Sequence, residues 1–228
     1  MVGRILSINI KSELDLNSYC VVYNQGFYGS WLVWFISNHR NFAPVSHEYN
    51  YTHFKTKEKR SENPVSLKLH GHEWVYEAEF YDPNEYQEEN PEIELREYIS
   101  LYHDYEKFCY KVKPSPPWNH NNDSRLRNNV LANSRYICLV FETNQDIVER
   151  RLEKWSWDWV GSESTIQYIQ QCNREAKTCT KLTDALLLDM GALLGPDENK
   201  ALEEYWNLLY YIEEPGLKNW QDLLVEVK

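Results

Sequence analysis

The 228-residue chain is long enough to bury the core of one domain, and its composition does not shift along its length. Its net charge of -11 argues against nucleic acid as a partner, because surfaces that bind nucleic acid are strongly basic. The longest apolar run, residues 31–36, is too short to cross a bilayer, so no membrane partner is expected. We therefore predict one domain over residues 1–228, in which an anionic ligand would need a local basic pocket.

The cysteines indicate the compartment. They are odd in number and form no Cys-x-x-Cys pair, which is typical of free buried thiols in a reducing environment. The first residues do not resemble a signal peptide, so a cytoplasmic protein is expected. The five are Cys20, Cys109, Cys138, Cys172 and Cys179.

Strands and helices are predicted to alternate along the chain. Apolar alternation or unbroken apolar runs predict strands at 4–10, 20–23, 65–70, 136–141 and 184–189. Helical spacing predicts helices from Ser30 onward and at 93–107, 147–155, 162–177, 198–212 and 217–227, with Asn144 capping the third. The apolar face of the helix at 198–212 is predicted to contain Leu202, Tyr205, Trp206, Leu209 and Tyr210. This alternation is typical of an α/β fold, a three-layer domain with a central, mainly parallel sheet flanked by helices.

A glycine turn joins the strand at 20–23 to the helix that starts at Ser30. Gly26 and Gly29 allow backbone angles that other residues resist, and the amides at a helix start attract phosphate or sulfate oxygens. The segment lacks the Gly-Lys-Ser/Thr ending of a nucleotide triphosphatase loop. Two interpretations stay open, an anion-binding loop and a tight turn without a ligand.

The predicted strand at 65–70 ends in Lys68-Leu69-His70. Ligands of open α/β sheets bind beyond the carboxyl ends of the strands, which is where Lys68 and His70 would lie. His70 and His72 also resemble a metal pair, but no third ligand follows at a diagnostic spacing, so no metal is predicted. A surface histidine without a role is the alternative.

Other basic residues offer positive charge. The run at 55–60 is interpreted as a solvated loop, with a flap that meets an anionic substrate as the alternative. Residues 111–133 are predicted to form a long loop, of the kind that often serves as a lid, which contains Arg125 and Arg127. Arg150 and Arg151 lie on the helix after the strand at 136–141.

In these motifs the chain resembles the sulfotransferases. Gly29-Ser30-Trp31-Leu32 is similar to the end of the family's phosphosulfate loop, and Lys68-Leu69-His70 matches the end of its second strand. The strand and helix at 136–151 follow in the expected order, and residues 216–220 resemble a closing Gly-x-x-Asn-Trp. The resemblance implies a P-loop-like fold and transfer of a sulfuryl group from 3'-phosphoadenosine 5'-phosphosulfate to a hydroxyl or amine of a small-molecule or glycan acceptor.

The resemblance also implies roles for particular residues. His70 would take the acceptor proton, with His72 in reserve, and Lys68 would balance charge on the bridging oxygen. Donor binding would fall to Gln25, Gly26, Phe27, Tyr28, Gly29, Ser30 and Trp31, with Arg150 and Arg151 as further anion ligands. The chain departs from the family at two points, since its loop has no basic residue and Glu142 stands where the family has an arginine.

Two alternatives belong to other classes. A P-loop-fold protein that has lost the chemistry and serves as a binding or structural component, for example of a virus particle, would explain both departures. A small-molecule kinase is less favoured, because no lysine follows the glycines.

Overall fold

The computed structural model describes residues 17–24, 26–45, 104–112, 132–154, 164–182 and 184–225. These ranges contain four strands and six helices. The strands are β1 (Asn17–Val22), β2 (Lys107–Val112), β3 (Arg135–Val140) and β4 (Leu186–Asp189). The helices are α1 (Gly29–Ser37), α2 (Asp146–Lys154), α3 (Thr165–Leu182), α4 (Met190–Leu193), α5 (Glu198–Ile212) and α6 (Trp220–Val225).

The four strands form one parallel sheet in the order β2-β1-β3-β4. Cys20 of β1 lies between Tyr110 of β2 and Tyr136 of β3, which fixes the register at the centre of the sheet. Helix α1 packs against β1 and β2, and α3 packs against β3 and β4. The prediction of an α/β fold with a parallel sheet flanked by helices is confirmed.

The core lies along the two central strands. Five consecutive residues of β1, from Ser18 to Val22, are buried, and so are five of β3, from Tyr136 to Val140. Strands in the middle of a parallel sheet are covered on both faces, so apolar residues occupy consecutive positions rather than alternate ones. All five cysteines are buried and free, as their spacing predicted.

Strand β2 corrects the sequence prediction. Residues 93–107 were expected to form a helix, but residues 104–106 form a turn and Lys107 begins a strand. Lys111 and Val112 belong to the same strand, although a loop was expected from residue 111. The β-branched and aromatic residues of this segment were not recognised as a strand because of its lysines. A charged residue usually indicates exposure to solvent, whereas Lys107 is only 5% exposed.

The helices were predicted more accurately. The bounds of α5 are as expected, and α1, α2, α3 and α6 each differ from expectation by a few residues.

Asn144 does not cap α2, because its backbone is left-handed (φ 44°) and its side-chain amide donates to the Gly191 carbonyl, 2.8 Å away. The residues of the predicted apolar face of α5 differ in burial. Tyr205 and Leu209 are buried, whereas three others are exposed, namely Leu202, Trp206 and Tyr210.

A buried ion pair holds the end of α5 against the start of β2. The Lys107 ammonium donates to the Glu214 carboxylate at 2.6 Å and to the carbonyls of Ile212 (2.7 Å) and Glu213 (3.0 Å). Both charged side chains are almost fully buried, and the Asn41 amide donates to the same carboxylate. A helix end leaves carbonyls without intrahelical partners, so this single ammonium satisfies two of them and a carboxylate together.

The two neighbouring strands contact the same helix end. The Tyr19 hydroxyl of β1 donates to the Ile212 carbonyl at 3.3 Å. Arg135 of β3 donates to the Tyr19 hydroxyl and to the Glu213 carboxylate, and its guanidinium lies 4.5 Å from the centre of the Tyr211 ring. The amino ends of β1, β2 and β3 are therefore all joined to the C-terminal end of α5.

His39 lies buried just after α1, with 2% of its surface exposed. Its Nδ1 lies 2.9 Å from the Ile36 carbonyl and must donate to it, since a carbonyl only accepts. Its Nε2 has no hydrogen-bond partner in the part of the chain described here. Burial lowers the pKa of His39, and the Lys107 charge lowers it further, against opposing effects of the Ile36 hydrogen bond and Glu214.

Replacing Lys107 by methionine should lower the free energy of unfolding by about 3 to 5 kcal/mol, because the Glu214 carboxylate would stay buried without its cation. Urea unfolding followed by circular dichroism measures this change. The matched control is Lys177→Met, which breaks the half-exposed pair with Glu142 and should cost about 0.5 kcal/mol or less. Equal losses in the two variants would contradict a special role for the buried pair.

The stability of the protein should depend on pH through His39. Its folded pKa lies below the unfolded value of about 6.5, so the unfolded state binds the proton more readily. The contribution of His39 is therefore present above the unfolded pKa and is lost as pH falls below it. Urea unfolding of the wild type and of His39→Asn at about pH 7.5 and about pH 5.5 measures this loss.

Asparagine keeps a donor for the Ile36 carbonyl but does not titrate, so the variant should lose less stability between the two pH values. An identical pH dependence in both proteins would show that His39 does not carry the effect.

Candidate functional site

The order of the described strands places a point of reversed winding at the carboxyl edge of the sheet. The chain leaves β1 for β2 on one side and then crosses to β3 on the other side of β1. Ligands of open α/β sheets bind outside the carboxyl ends of the strands where the winding direction reverses in this way. That point lies between β1 and β3, and the glycine loop follows β1 there.

The loop between β1 and α1 has the predicted strand, turn and helix arrangement. Gly26 has a positive φ of 87°, and the Phe27 amide donates to the Asn24 carbonyl at 3.0 Å, which closes the turn. Tyr28 is left-handed (φ 60°), and α1 begins at the next residue, Gly29. The start of α1 therefore follows β1 at this point of reversed winding.

Close packing also explains why residues 26 and 29 are glycines. A Cβ at Gly26 would lie 2.7 Å from Leu152 Cδ2 of α2, closer than side-chain carbons approach. A Cβ at Gly29 would overlap the Tyr23 ring. The glycines are thus required by the fold, and they do not by themselves indicate a ligand.

Aromatic side chains join the loop to the neighbouring elements. Phe27 is fully buried and meets Phe141, just after β3, edge to face at 5.1 Å, and Tyr168 of α3 at 6.4 Å. Tyr28 also contacts Phe141, at 6.2 Å. Trp31 is partly buried and stacks on the fully buried Phe35 at 5.0 Å. The ring of Phe35 belongs to the core, and Phe27 anchors the loop rather than facing a ligand.

The start of α1 is suited to an anion. Tyr28 occupies the N-cap position but makes no side-chain hydrogen bond to the first-turn amides, and the first turn contains no acidic residue. The positive end of the helix dipole is therefore not neutralised from within the first turn. Ser30, in that turn, is partly buried. An anion at this point would gain amide hydrogen bonds and the favourable field of the helix.

Arg150 and Arg151, which were both predicted to be anion ligands, make different contacts in the structure. Arg150 bonds within its own helix, donating to the Asp146 carboxylate at 2.9 Å and to the Asp146 carbonyl at 3.1 Å. The Arg151 guanidinium instead lies 4.2 Å from the centre of the Tyr28 ring, next to the start of α1. Neighbouring helical residues point about 100° apart, so only one of the two can face the glycine loop.

The loop after β3 is fixed by residues that the sequence analysis did not single out. The Asn173 amide of α3 pairs with both backbone groups of Phe141, accepting from its N–H at 2.9 Å and donating to its carbonyl at 2.8 Å. The Asp189 carboxylate accepts from the amides of Glu142, Thr143 and Gly191 and from the Thr143 hydroxyl. In the sequence, the place of Asp189 at the end of an apolar strand is the signal that could have indicated such a role.

Glu142 stands where the resemblance expects an arginine. Its carboxylate forms an ion pair with Lys177 of α3, and both side chains are about half exposed. The pair reduces the negative charge that Glu142 presents beyond the end of β3.

Several predicted site residues lie outside the described part of the chain. They are Gln25, Lys68, His70, His72, Arg125 and Arg127. Among the described residues, no group of three or more histidine, cysteine, aspartate or glutamate side chains is arranged to hold a metal ion. No helix in the described ranges combines the length and the apolar character needed to cross a bilayer.

Comparison with family models, with curated proteins and with solved structures finds no match to this chain. The residues of the site are therefore the basis for a functional proposal.

Replacing Asp189 by alanine should lower the free energy of unfolding by about 3 kcal/mol, because four donors at the ends of β3 and β4 lose a charged acceptor. Asp197→Ala is the matched control. Asp197 also caps a helix, but it accepts only from the exposed Asn199 and Lys200 amides, so its loss should cost about 1 kcal/mol. Urea unfolding compares them, and an equal or smaller loss for Asp189→Ala would contradict the assignment.

Proposed function

We propose that the protein is a sulfotransferase that uses 3'-phosphoadenosine 5'-phosphosulfate. The supporting observation is the start of α1, where an N-terminus without a side-chain cap lies at the reversal point of the sheet with the Arg151 guanidinium beside it. This combination suits the phosphosulfate group of such a donor, because amide donors and a positive charge converge on one place.

The donor would be held by the loop and by Arg151. The amides from Gln25 to Trp31, together with the Ser30 hydroxyl, would bind oxygens of the 5'-phosphosulfate. Arg151 would supply the positive charge that the loop sequence itself lacks. The ion pair of Glu142 with Lys177 reduces the electrostatic repulsion between Glu142 and a phosphate at the end of β3.

The donor supplies an activated sulfuryl group, which passes to the acceptor oxygen or nitrogen as the bond to the bridging oxygen breaks. Following the resemblance, His70 would take the proton from the acceptor, since imidazole titrates near neutral pH. Lys68 would balance the charge that develops on the bridging oxygen. The acceptor would be a small molecule or a glycan, and the five free buried cysteines support a reducing compartment such as the cytoplasm.

A second candidate is a binding or structural component without catalytic activity, for example of a virus particle. The close packing of Gly26 and Gly29 supports it, because that packing explains both glycines without a ligand. A small-molecule kinase has less support. No lysine follows the glycines, and the Asp189 carboxylate at the end of β4 already accepts four hydrogen bonds, which leaves it little capacity to bind magnesium.

Calorimetric titration with 3'-phosphoadenosine 5'-phosphate, adenosine 5'-monophosphate and ATP tests the proposal. We expect micromolar binding of the first ligand and much weaker binding of the other two, because only the first carries a 3'-phosphate. Arg151→Gln should weaken that binding about tenfold or more, through loss of charge-assisted hydrogen bonds to phosphate.

Arg174→Gln is the matched control, because Arg174 is an exposed arginine of α3 outside the proposed site. It should bind like the wild type. Failure of all three ligands to bind would overturn the enzyme proposal and favour the structural candidate. Preferential binding of ATP would favour the kinase.

A further inference from the structure

A row of exposed apolar side chains runs along one side of α5. Leu202, Trp206 and Tyr210 are 40%, 58% and 88% exposed, and they follow one another at intervals of four residues. Side chains four residues apart lie one above the other on a helix, so these three form one continuous row, the α5 ridge. Two further large apolar side chains are exposed in the described ranges, Tyr105 before β2 and Ile166 on α3. Each stands singly, which is ordinary for a protein surface, whereas a row is typical of an interaction site.

The helix that carries the α5 ridge is fixed by its buried side and at both ends. Tyr205 is buried in the core and stacks on Trp220 of α6 at 4.5 Å. The Asp197 carboxylate caps the first turn, and the buried pair of Lys107 with Glu214 holds the C-terminal end. A partner would therefore meet a surface that is already ordered, which lowers the entropy cost of binding.

The charges nearest to the α5 ridge are acidic. A helix advances about 100° per residue, which places Glu198 about 40° from Leu202 and Glu203 about 60° from Trp206. Both carboxylates are exposed, and neither forms an ion pair within the described part of the chain. Lys200 is the cation of this helix, and it lies about 120° from Trp206. The ridge therefore favours a partner with positive charge, which the net charge of -11 would also attract at long range.

The size of the α5 ridge argues against a second copy of the chain as its occupant. Two aromatic side chains and a leucine at these exposures present on the order of 400 Å², whereas a stable dimer buries about 800 Å² on each partner. A two-fold contact would also bring the same carboxylates together from both copies. One helix fits this surface better, because a row of residues four apart is the ridge that packs into the groove of a neighbouring helix.

We propose that the α5 ridge is a docking site for an amphipathic helix of another protein, one whose apolar face is flanked by lysine or arginine. Trp206 and Tyr210 supply the aromatic anchors that carry much of the binding energy at protein interfaces. Glu198 and Glu203 pair with the flanking cations and select the partner by charge. This inference goes beyond the proposed function and uses none of the residues assigned to the donor site.

The probe is a synthetic helical peptide of leucine and lysine with one apolar face. It carries fluorescein, so that fluorescence anisotropy measures its Kd for the full chain, and a peptide with glutamate in place of every lysine controls for charge. Circular dichroism melting confirms that each variant is folded. The matched controls Ile166→Ala and Glu153→Lys change exposed residues of other helices. The variants of the ridge are Trp206→Ala, Tyr210→Ala and Glu203→Lys.

The wild type should bind the lysine peptide and bind the glutamate peptide much more weakly. Trp206→Ala and Tyr210→Ala should each weaken binding of the lysine peptide about tenfold or more, as expected for aromatic anchors. Glu203→Lys should weaken it about fivefold, because an exposed attraction becomes a repulsion. Ile166→Ala and Glu153→Lys should bind like the wild type, although Glu153→Lys changes the net charge by the same amount.

Three results of these measurements would overturn the inference. The first is that the wild type does not bind the lysine peptide. The second is that both alanine variants bind it as tightly as the wild type does, because the peptide would then bind elsewhere. The third is that the glutamate peptide binds as tightly, because the carboxylates would then not select the partner. Sedimentation velocity tests the remaining case of a second copy, and a dimer that Trp206→Ala abolishes would assign the ridge to self-association instead.

A segment of this chain is the other possible occupant, and Trp206→Cys tests it. The five native cysteines are buried, so a thiol reagent reports mainly on the introduced cysteine. It should react at a rate similar to that of Asn207→Cys, at an exposed position beside the ridge. A much slower reaction would show that the chain itself covers the α5 ridge and would overturn the inference.

Discussion

The fold depends on the ammonium of Lys107. A buried charged group is tolerated only when nearly all of its hydrogen bonds are made, because desolvation costs several kcal/mol and must be offset by hydrogen bonds and by an opposite charge. Lys107 meets this condition with the Glu214 carboxylate and two carbonyls from the last turn of α5. The same turn also binds Tyr19 and, through Glu213, Arg135. One helix end therefore fixes the amino ends of three parallel strands.

The two edges of the sheet differ in how their polar groups are satisfied. At the amino edge, charged groups and carbonyls are paired within the protein. At the carboxyl edge, the loop after β3 is also satisfied internally, by Asn173 and Asp189. The glycine loop is held mainly by ring packing, through Phe27 and Tyr28. Rings supply rigidity without supplying hydrogen-bond acceptors to the amides at the start of α1, and the proposed function places its anion at these amides.

Local patterns in the sequence predicted the features that local interactions determine. The strand, glycine turn and helix at residues 20–37, the buried run of β3 and the bounds of α5 all follow from neighbouring residues. Strand β2 was missed because the burial of Lys107 depends on Glu214, a partner 107 positions away. The sequence likewise treated Arg150 and Arg151 as equivalent. Only the packing of α2 against the loop shows which of them approaches Tyr28, and no local signal indicates that Tyr28 is left-handed.

Under the proposed function, the net charge of -11 makes the position of each cation matter more than the number of cations. An acidic surface repels a polyanionic donor at long range, so binding depends on short-range groups inside one Debye length. Two cations near the carboxyl edge contribute little to that attraction, since Arg150 is paired with Asp146 and Lys177 with Glu142. Under the proposed function, donor binding therefore depends on the amides at the start of α1 and on the place of the Arg151 guanidinium, 4.2 Å from the centre of the Tyr28 ring.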